Sequence, residues 1–79
     1  MENKVIFTAY EDNNLAMVLI SKDSCESTTQ NVISAAEEVG YKKLAEDNGN
    51  YFLVIKIEFA SVRVLKNFHE KIRPYCYLQ

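Results

Sequence analysis

The strongest constraint on this chain is a pair of consecutive segments, Lys4-Val-Ile-Phe-Thr-Ala-Tyr10 and Leu15-Ala-Met-Val-Leu-Ile-Ser21, that are apolar at odd and even positions alike. Their β-branched and aromatic content suits strands. Glu11-Asp12-Asn13-Asn14 between them predicts a turn, because Asn and Asp accept left-handed backbone angles and bond their own backbone. The two strands then pair as an antiparallel hairpin. Val5, Phe7 and Ala9 oppose Ile6, Thr8 and Tyr10 in the first, and Leu15, Met17 and Leu19 oppose Ala16, Val18 and Ile20 in the second. A strand apolar on both faces wants cover on both. Either helices lie above and below the hairpin, or its second face meets another chain, and a homodimer through this hairpin is one form of the second option. A chain of 79 residues has few elements to spare for the first.

That length predicts one domain, residues 1–79, because neither half could build its own core. A composition that is 48% hydrophobic, with two glycines and one proline, is that of an ordered chain. No repeat and no Gly-, Ser- or Pro-rich linker interrupts it, so short turns must join the elements.

After Lys22, the run Asp23-Ser-Cys-Glu-Ser27 is rich in residues that flank helix starts, and Ser27-Thr28-Thr29-Gln30 matches a capping box. Val32, Ala35, Ala36 and Val39 follow at i, i+3, i+4 and i+7, an apolar stripe whose alanines allow close approach to a sheet. Gly40 is a natural stop. Tyr41 to Asp47 is polar enough for an edge strand, Asn48-Gly49-Asn50 reads as its turn, and Tyr51 to Phe59 is a strand with Tyr51, Leu53, Ile55, Ile57 and Phe59 on the core face. From Ser61 the period lengthens: Val62, Leu65, Phe68 and Ile72 predict a second amphipathic helix ending before Pro74. Continuation of the strand through Val62 and Val64 is the rival reading. Tyr75 to Gln79 is either a final edge strand or a loosely packed aromatic tail. The expected fold is α+β: a small two-layer structure, an antiparallel sheet in the order ββαββα with helices mainly on one face.

The chemistry-bearing residues are sparse. His69 is the one histidine; the two cysteines, Cys25 and Cys76, lie far apart without a CxxC spacing, so neither a redox motif nor a zinc site follows. A disulfide between them stays open. Either cysteine beside His69 would be the minimum for thiol catalysis. The carboxylates Glu11-Asp12, Glu37-Glu38 and Glu46-Asp47 are adjacent pairs; adjacent helical positions diverge by about 100°, so solvated faces explain them better than acid-base work. No glycine loop suits a phosphate. We therefore expect no enzyme, no cofactor and no metal.

Net charge is −2, unevenly spread: residues 1–59 carry five lysines against ten acids, whereas residues 60–79 carry Arg63, Lys66, Lys71 and Arg73 against Glu70 alone. With Tyr75 and Tyr77 beside them, these four cations are the candidate binding residues. Helical spacing brings Arg63, Lys66 and Arg73 toward one side. Basic groups interleaved with aromatics suit phosphates and bases, or the Arg and Tyr anchors of a protein interface, or simply a solvated helix end whose cations favour the dipole.

A function residing in a surface is the outcome. The first expectation is a small non-enzymatic protein-binding modulator or inhibitor that occupies a surface of a larger partner, of the physical type of the host-modulating proteins of mobile elements. The alternative is a small nucleic-acid-binding regulator using the basic C-terminal helix. No basic leader with an apolar stretch opens the sequence, and no apolar run reaches the roughly 18 residues that span a bilayer. A cytoplasmic protein with reduced thiols and no membrane contact is expected.

Overall fold

Each strand of the first hairpin forms where its composition demands, and the turn between them closes on Asn14. In the computed structural model, which describes residues 5–22 and 26–76, β1 (Val5–Tyr10) runs into a 3-10 turn at Glu11–Asn13 and then β2 (Leu15–Ser21). Asn14 takes the left-handed conformation (φ 55°, ψ 36°) that this residue type tolerates best after glycine, and its N–H donates to the Glu11 carbonyl at 3.3 Å. Then come α1 (Glu26–Val39), β3 (Lys43–Asn48), β4 (Phe52–Glu58), α2 (Val62–Ile72) and a last 3-10 turn at Arg73–Tyr75.

The four strands form one sheet in the order β1-β2-β4-β3, every neighbouring pair antiparallel. The fold is thus the expected α+β arrangement, with β2 and β4 central and β1 and β3 at the edges. Across the sheet Val5, Ile20 and Leu53 stand in one row, Phe7, Val18 and Ile55 in the next, and Ala9, Ala16 and Ile57 in a third. This is the face that builds the core. Val5, Ala16, Val18, Ile20, Ile55 and Ile57 are buried there with Val32, Ala35 and Ala36 of α1 and Leu65, Phe68 and Ile72 of α2. Both helices thus bury their apolar stripes against the same side of the sheet. Phe68 is central: its ring centroid lies 5.2 Å from Phe59 and 6.2 Å from Phe7, in tilted arrangements worth about 0.5–1.5 kcal/mol per pair beyond burial.

Local chemistry sets the boundaries. Gly40 sits at φ 86°, a left-handed angle that ends α1 while its N–H still bonds the Ala36 carbonyl at 3.0 Å. Ser61 flanks α2, its hydroxyl accepting from the Val64 N–H at 3.3 Å. Helix, not strand, therefore follows β4. Pro74 falls just past the helix, in the first positions of the final 3-10 turn, where its missing N–H costs nothing.

Four expectations need correction. The helix starts at Glu26, which places Ser27 inside the first turn instead of at its flank; the run before it offers several residues able to flank a helix, and 23–25 lie outside the described residues. Tyr51 is not on the core face but 78% exposed, because the second hairpin turns at Asn50-Tyr51, one residue later than the Asn-Gly-Asn pattern suggests. Gly49 closes that turn through its N–H to the Phe52 carbonyl at 2.9 Å, and a Cβ there would lie 2.9 Å from the same oxygen. Tyr41 likewise precedes β3, which begins at Lys43. The C-terminal segment is neither a strand nor loose up to Cys76: Tyr75 and Cys76 pack against the core.

The position of Phe68 yields a stability prediction. Phe68→Ala should lower unfolding free energy by about 3–5 kcal/mol, measured by urea denaturation, while Tyr51→Ala should change it by less than about 0.5 kcal/mol. Equal losses would contradict this packing.

Candidate functional site

Period-two alternation has a consequence on the sheet's other side. Every second residue of β2 is fully buried, and Leu15, Met17 and Leu19 between them are half-buried. With them on the same face stand Ile6 and Tyr10 of β1 and Phe52 and Val54 of β4, by the registers Ile6–Leu19–Val54, Thr8–Met17–Lys56, Tyr10–Leu15–Glu58 and Ser21–Phe52. None of these residues belongs to the core cluster or packs against it. Toward the β3 edge the same face turns polar, with Lys43, Ala45 and Asp47 beyond Glu58, Lys56 and Val54. The result is an apolar stripe along β2, bordered by Ile6 and Val54, with Lys56 at the middle of one flank. Contiguous apolar surface left partly open to solvent marks interaction sites more often than scattered apolar residues do. The first hairpin's double-sided apolarity is the sequence signal for this face; Phe52 and Val54 carry no such signal, because they alternate along β4 with Lys56 and Glu58.

The basic C-terminal residues are less of a unit than their sequence spacing suggests. Arg63 and Lys66 are exposed on α2 and make no ion pair among the described residues. Lys71 reaches across to Glu38 of α1 at 3.0 Å, tying the two helices together. Arg73 contacts Glu70 at 3.2 Å. Tyr75 is half-buried and packs against the core, and Tyr77 lies outside the described residues. Glu70 and Glu38 thus neutralise two of the four cations. These pairs are exposed and each contributes at most about 1 kcal/mol.

His69 stacks flat on Phe7, ring centroids 4.0 Å apart at 11°. Its ring therefore covers the edge of the core over β1. Cys76 carries a free thiol, and burial pushes its pKa up from the ordinary thiol value, the direction opposite to that of an activated thiolate. Cys25 lies outside the described residues. The recess lined by Ala9, Tyr10, Glu11, Asp12 and Asn13 at the first turn brings two carboxylates together without a base. Among the described residues no group of three or more His, Cys, Asp or Glu is placed to hold a metal ion, and no helix is long and apolar enough to cross a membrane.

Compared with protein-family models, curated proteins and solved structures, the chain matches none.

Because burial favours the neutral thiol, the folded chain holds the Cys76 proton to higher pH than the unfolded chain does. The associated stability is present below the ordinary thiol pKa and is lost as pH rises through the folded value. At about pH 8.5, near that ordinary value, iodoacetamide should modify Cys76 more slowly in the folded chain than in urea, followed by peptide mass mapping. Equal rates would show an unperturbed thiol.

Proposed function

We propose that this chain is a small non-enzymatic protein-binding domain, a modulator or inhibitor that works by laying the open face of its sheet on a larger protein. One observation carries the reading: Ile6, Leu15, Met17, Leu19, Phe52 and Val54 share a face that the chain's own helices leave uncovered. Removing such side chains from water is the main favourable term in protein association, and a cluster at the centre of a patch supplies it more effectively than the same residues dispersed. A reducing cytoplasm suits the free Cys76 thiol. A second copy of the chain, docked through the β1–β2 hairpin, is the competing occupant of the same face.

The nucleic-acid reading is weaker on electrostatic grounds. Polyanion binding needs several uncompensated cations on one surface, and with Lys71 and Arg73 engaged by acids, α2 offers Arg63 and Lys66 with Glu70 alongside.

A photo-crosslinking amino acid placed at Leu19 should give a discrete protein adduct in a lysate of the native host, suppressed by Val54→Asp, while the same group at Arg63 should give none. Adducts from Arg63 alone, equal adducts from both positions, or none from either would overturn the reading. In parallel, fluorescence anisotropy at low salt should show no oligonucleotide binding that Arg63→Ala with Lys66→Ala removes. Salt-sensitive binding lost in that double variant would restore the alternative.

A further inference from the structure

The two edges of the sheet differ in composition. β3 carries Lys43, Glu46 and Asp47, charges that discourage further strand pairing, whereas β1 has no charged residue from Val5 to Tyr10. Hydrogen-bond phase shows which backbone groups β1 leaves over. The Lys22 N–H donates to the Tyr51 carbonyl at 3.0 Å and the Phe59 N–H to that of Asn14 at 2.8 Å, one bond at each end of the β2–β4 ladder. Bonded and non-bonded pairs alternate along an antiparallel ladder, so Ala16, Val18 and Ile20 direct their backbone groups to β4, and Leu15, Met17 and Leu19 direct theirs to β1. Tyr10, Thr8 and Ile6 take those bonds. The N–H and C=O groups of Val5, Phe7 and Ala9 therefore point away from the sheet, on the side where, among the described residues, β1 has no neighbouring strand. Val5 is fully buried but Phe7 and Ala9 are only half-buried, so the edge is open at Phe7 and Ala9.

The flank of α2 beside this edge supplies a charge. The helix starts at the Tyr10 end of β1, since Phe59 is tied to Asn14, and by His69 it has reached Phe7, on which that ring stacks. Lys66 lies one turn earlier on the same flank, about 4.5 Å back along the helix, which sets it level with Thr8 and Ala9. The opposite flank faces α1 through Lys71 and Glu38. Lys66 is exposed and makes no ion pair among the described residues. The one acid of α2, Glu70, is engaged by Arg73, and Glu11 and Asp12 lie past Tyr10 in the turn.

That cation separates a foreign strand from a second copy. A closed two-fold pairing of β1 with itself is antiparallel and keeps both copies' helices on one side of the joined sheet. Using only Phe7 and Ala9, it must pair Phe7 with Ala9 of the other copy and so centre on Thr8. The axis then passes at the level of Lys66 and sets it against its own copy, a like-charge contact. Centring on Phe7 would need Val5, which is closed, and centring on Ala9 would need Glu11, which has left the strand for the turn. A strand with an acid at that level meets attraction in place of repulsion.

We propose that the edge of β1 receives an extended segment of a partner protein, which adds to the sheet as an antiparallel strand through Phe7 and Ala9 and carries an acidic residue on the helix side, facing Lys66. This is recognition by strand addition, in which backbone bonds supply affinity and alternate side chains supply specificity. It goes beyond the reading of the open face, uses a different surface, and does not depend on it.

The test pans a displayed library of random peptides of about 12 residues against the whole chain. The expected result is enriched peptides rich in strand-forming residues with an Asp or Glu among them. The acid-bearing residue pairs with Phe7 or Ala9, so its own N–H points at β1 and that of the next residue points away. Methylating the first of these peptide nitrogens should abolish binding, and methylating the second should leave it unchanged; neither alters the protein. Lys66→Glu, at an exposed position, should lower affinity about tenfold and turn the preference toward peptides with Lys or Arg in place of the acid. Ala9→Pro, which removes an edge-facing donor where a strand tolerates proline, should abolish binding. Helically spaced peptides, no enrichment, equal effects of the two methylations, or affinity unchanged by Lys66→Glu would overturn the proposal. So would peptides lost with Val54→Asp and retained with Ala9→Pro, which bind the open face instead, or a dimer in light scattering that Ala9→Pro dissolves, which would make the occupant a second copy.

Discussion

The pairing of β2 with β4 at the centre of the sheet is the interaction on which everything else depends. It joins the N-terminal hairpin to the C-terminal one, and Val18 opposite Ile55 and Ala16 opposite Ile57 give the two helices a continuous apolar floor. Because side-chain direction alternates strictly along a strand, fixing that register also fixes which residues stand on the other side. Once Ala16, Val18 and Ile20 point to the core, Leu15, Met17 and Leu19 have no choice but to face away. A slip by one residue would exchange the sets, burying larger side chains under helices whose alanines, Ala35 and Ala36, leave space only for close approach.

Aromatic packing secures the second helix to that floor. Phe59 follows β4 directly and is buried; its N–H bonds the Asn14 carbonyl at 2.8 Å, so the first turn and the entry to α2 are held together. Phe68 then lies between Phe59 and Phe7, and His69 covers Phe7 from above. The lone histidine is thereby accounted for as a lid on the core edge. The helices are linked to one another chiefly by apolar contact, with the exposed Lys71–Glu38 pair as a minor addition.

How much of this was legible in the sequence follows the range of the interactions involved. The order of elements, the turn over Glu11 to Asn14, the stop at Gly40 and the amphipathic stripe of α2 are local, and local rules find them. Tyr51 was misassigned because strand alternation continues into a turn without a change of pattern, and only the pairing of Gly49 with Phe52 shows where β4 begins. The cations were overvalued as a group, since Glu38, which engages Lys71, is more than thirty residues away and belongs to another helix. The uncovered face was legible in β1 and β2, where both sides are apolar. It was not legible in β4, where Phe52 and Val54 share a side with Lys56 and Glu58 and become part of the stripe only through the neighbouring β2.

The open face also contains its own internal contrast. Its β3 positions are Lys43, Ala45 and Asp47, all exposed, and the strand pairs with β4 along its full length nonetheless. An uncovered position in this sheet therefore has no structural need of a large apolar side chain. Charged residues at an edge also guard against unwanted strand pairing, so β3 has the composition expected where solvent is the only neighbour. The corresponding positions of β2, one strand further in, are Leu15, Met17 and Leu19, which contribute nothing to the core cluster. Apolar residues retained where polar ones are structurally sufficient carry a standing cost in solubility, since exposed apolar patches favour aggregation. That cost is the physical ground of the proposed protein-binding role, and the boundary between the polar β3 strip and the apolar β2 stripe sets the limit of the face to which the proposal applies.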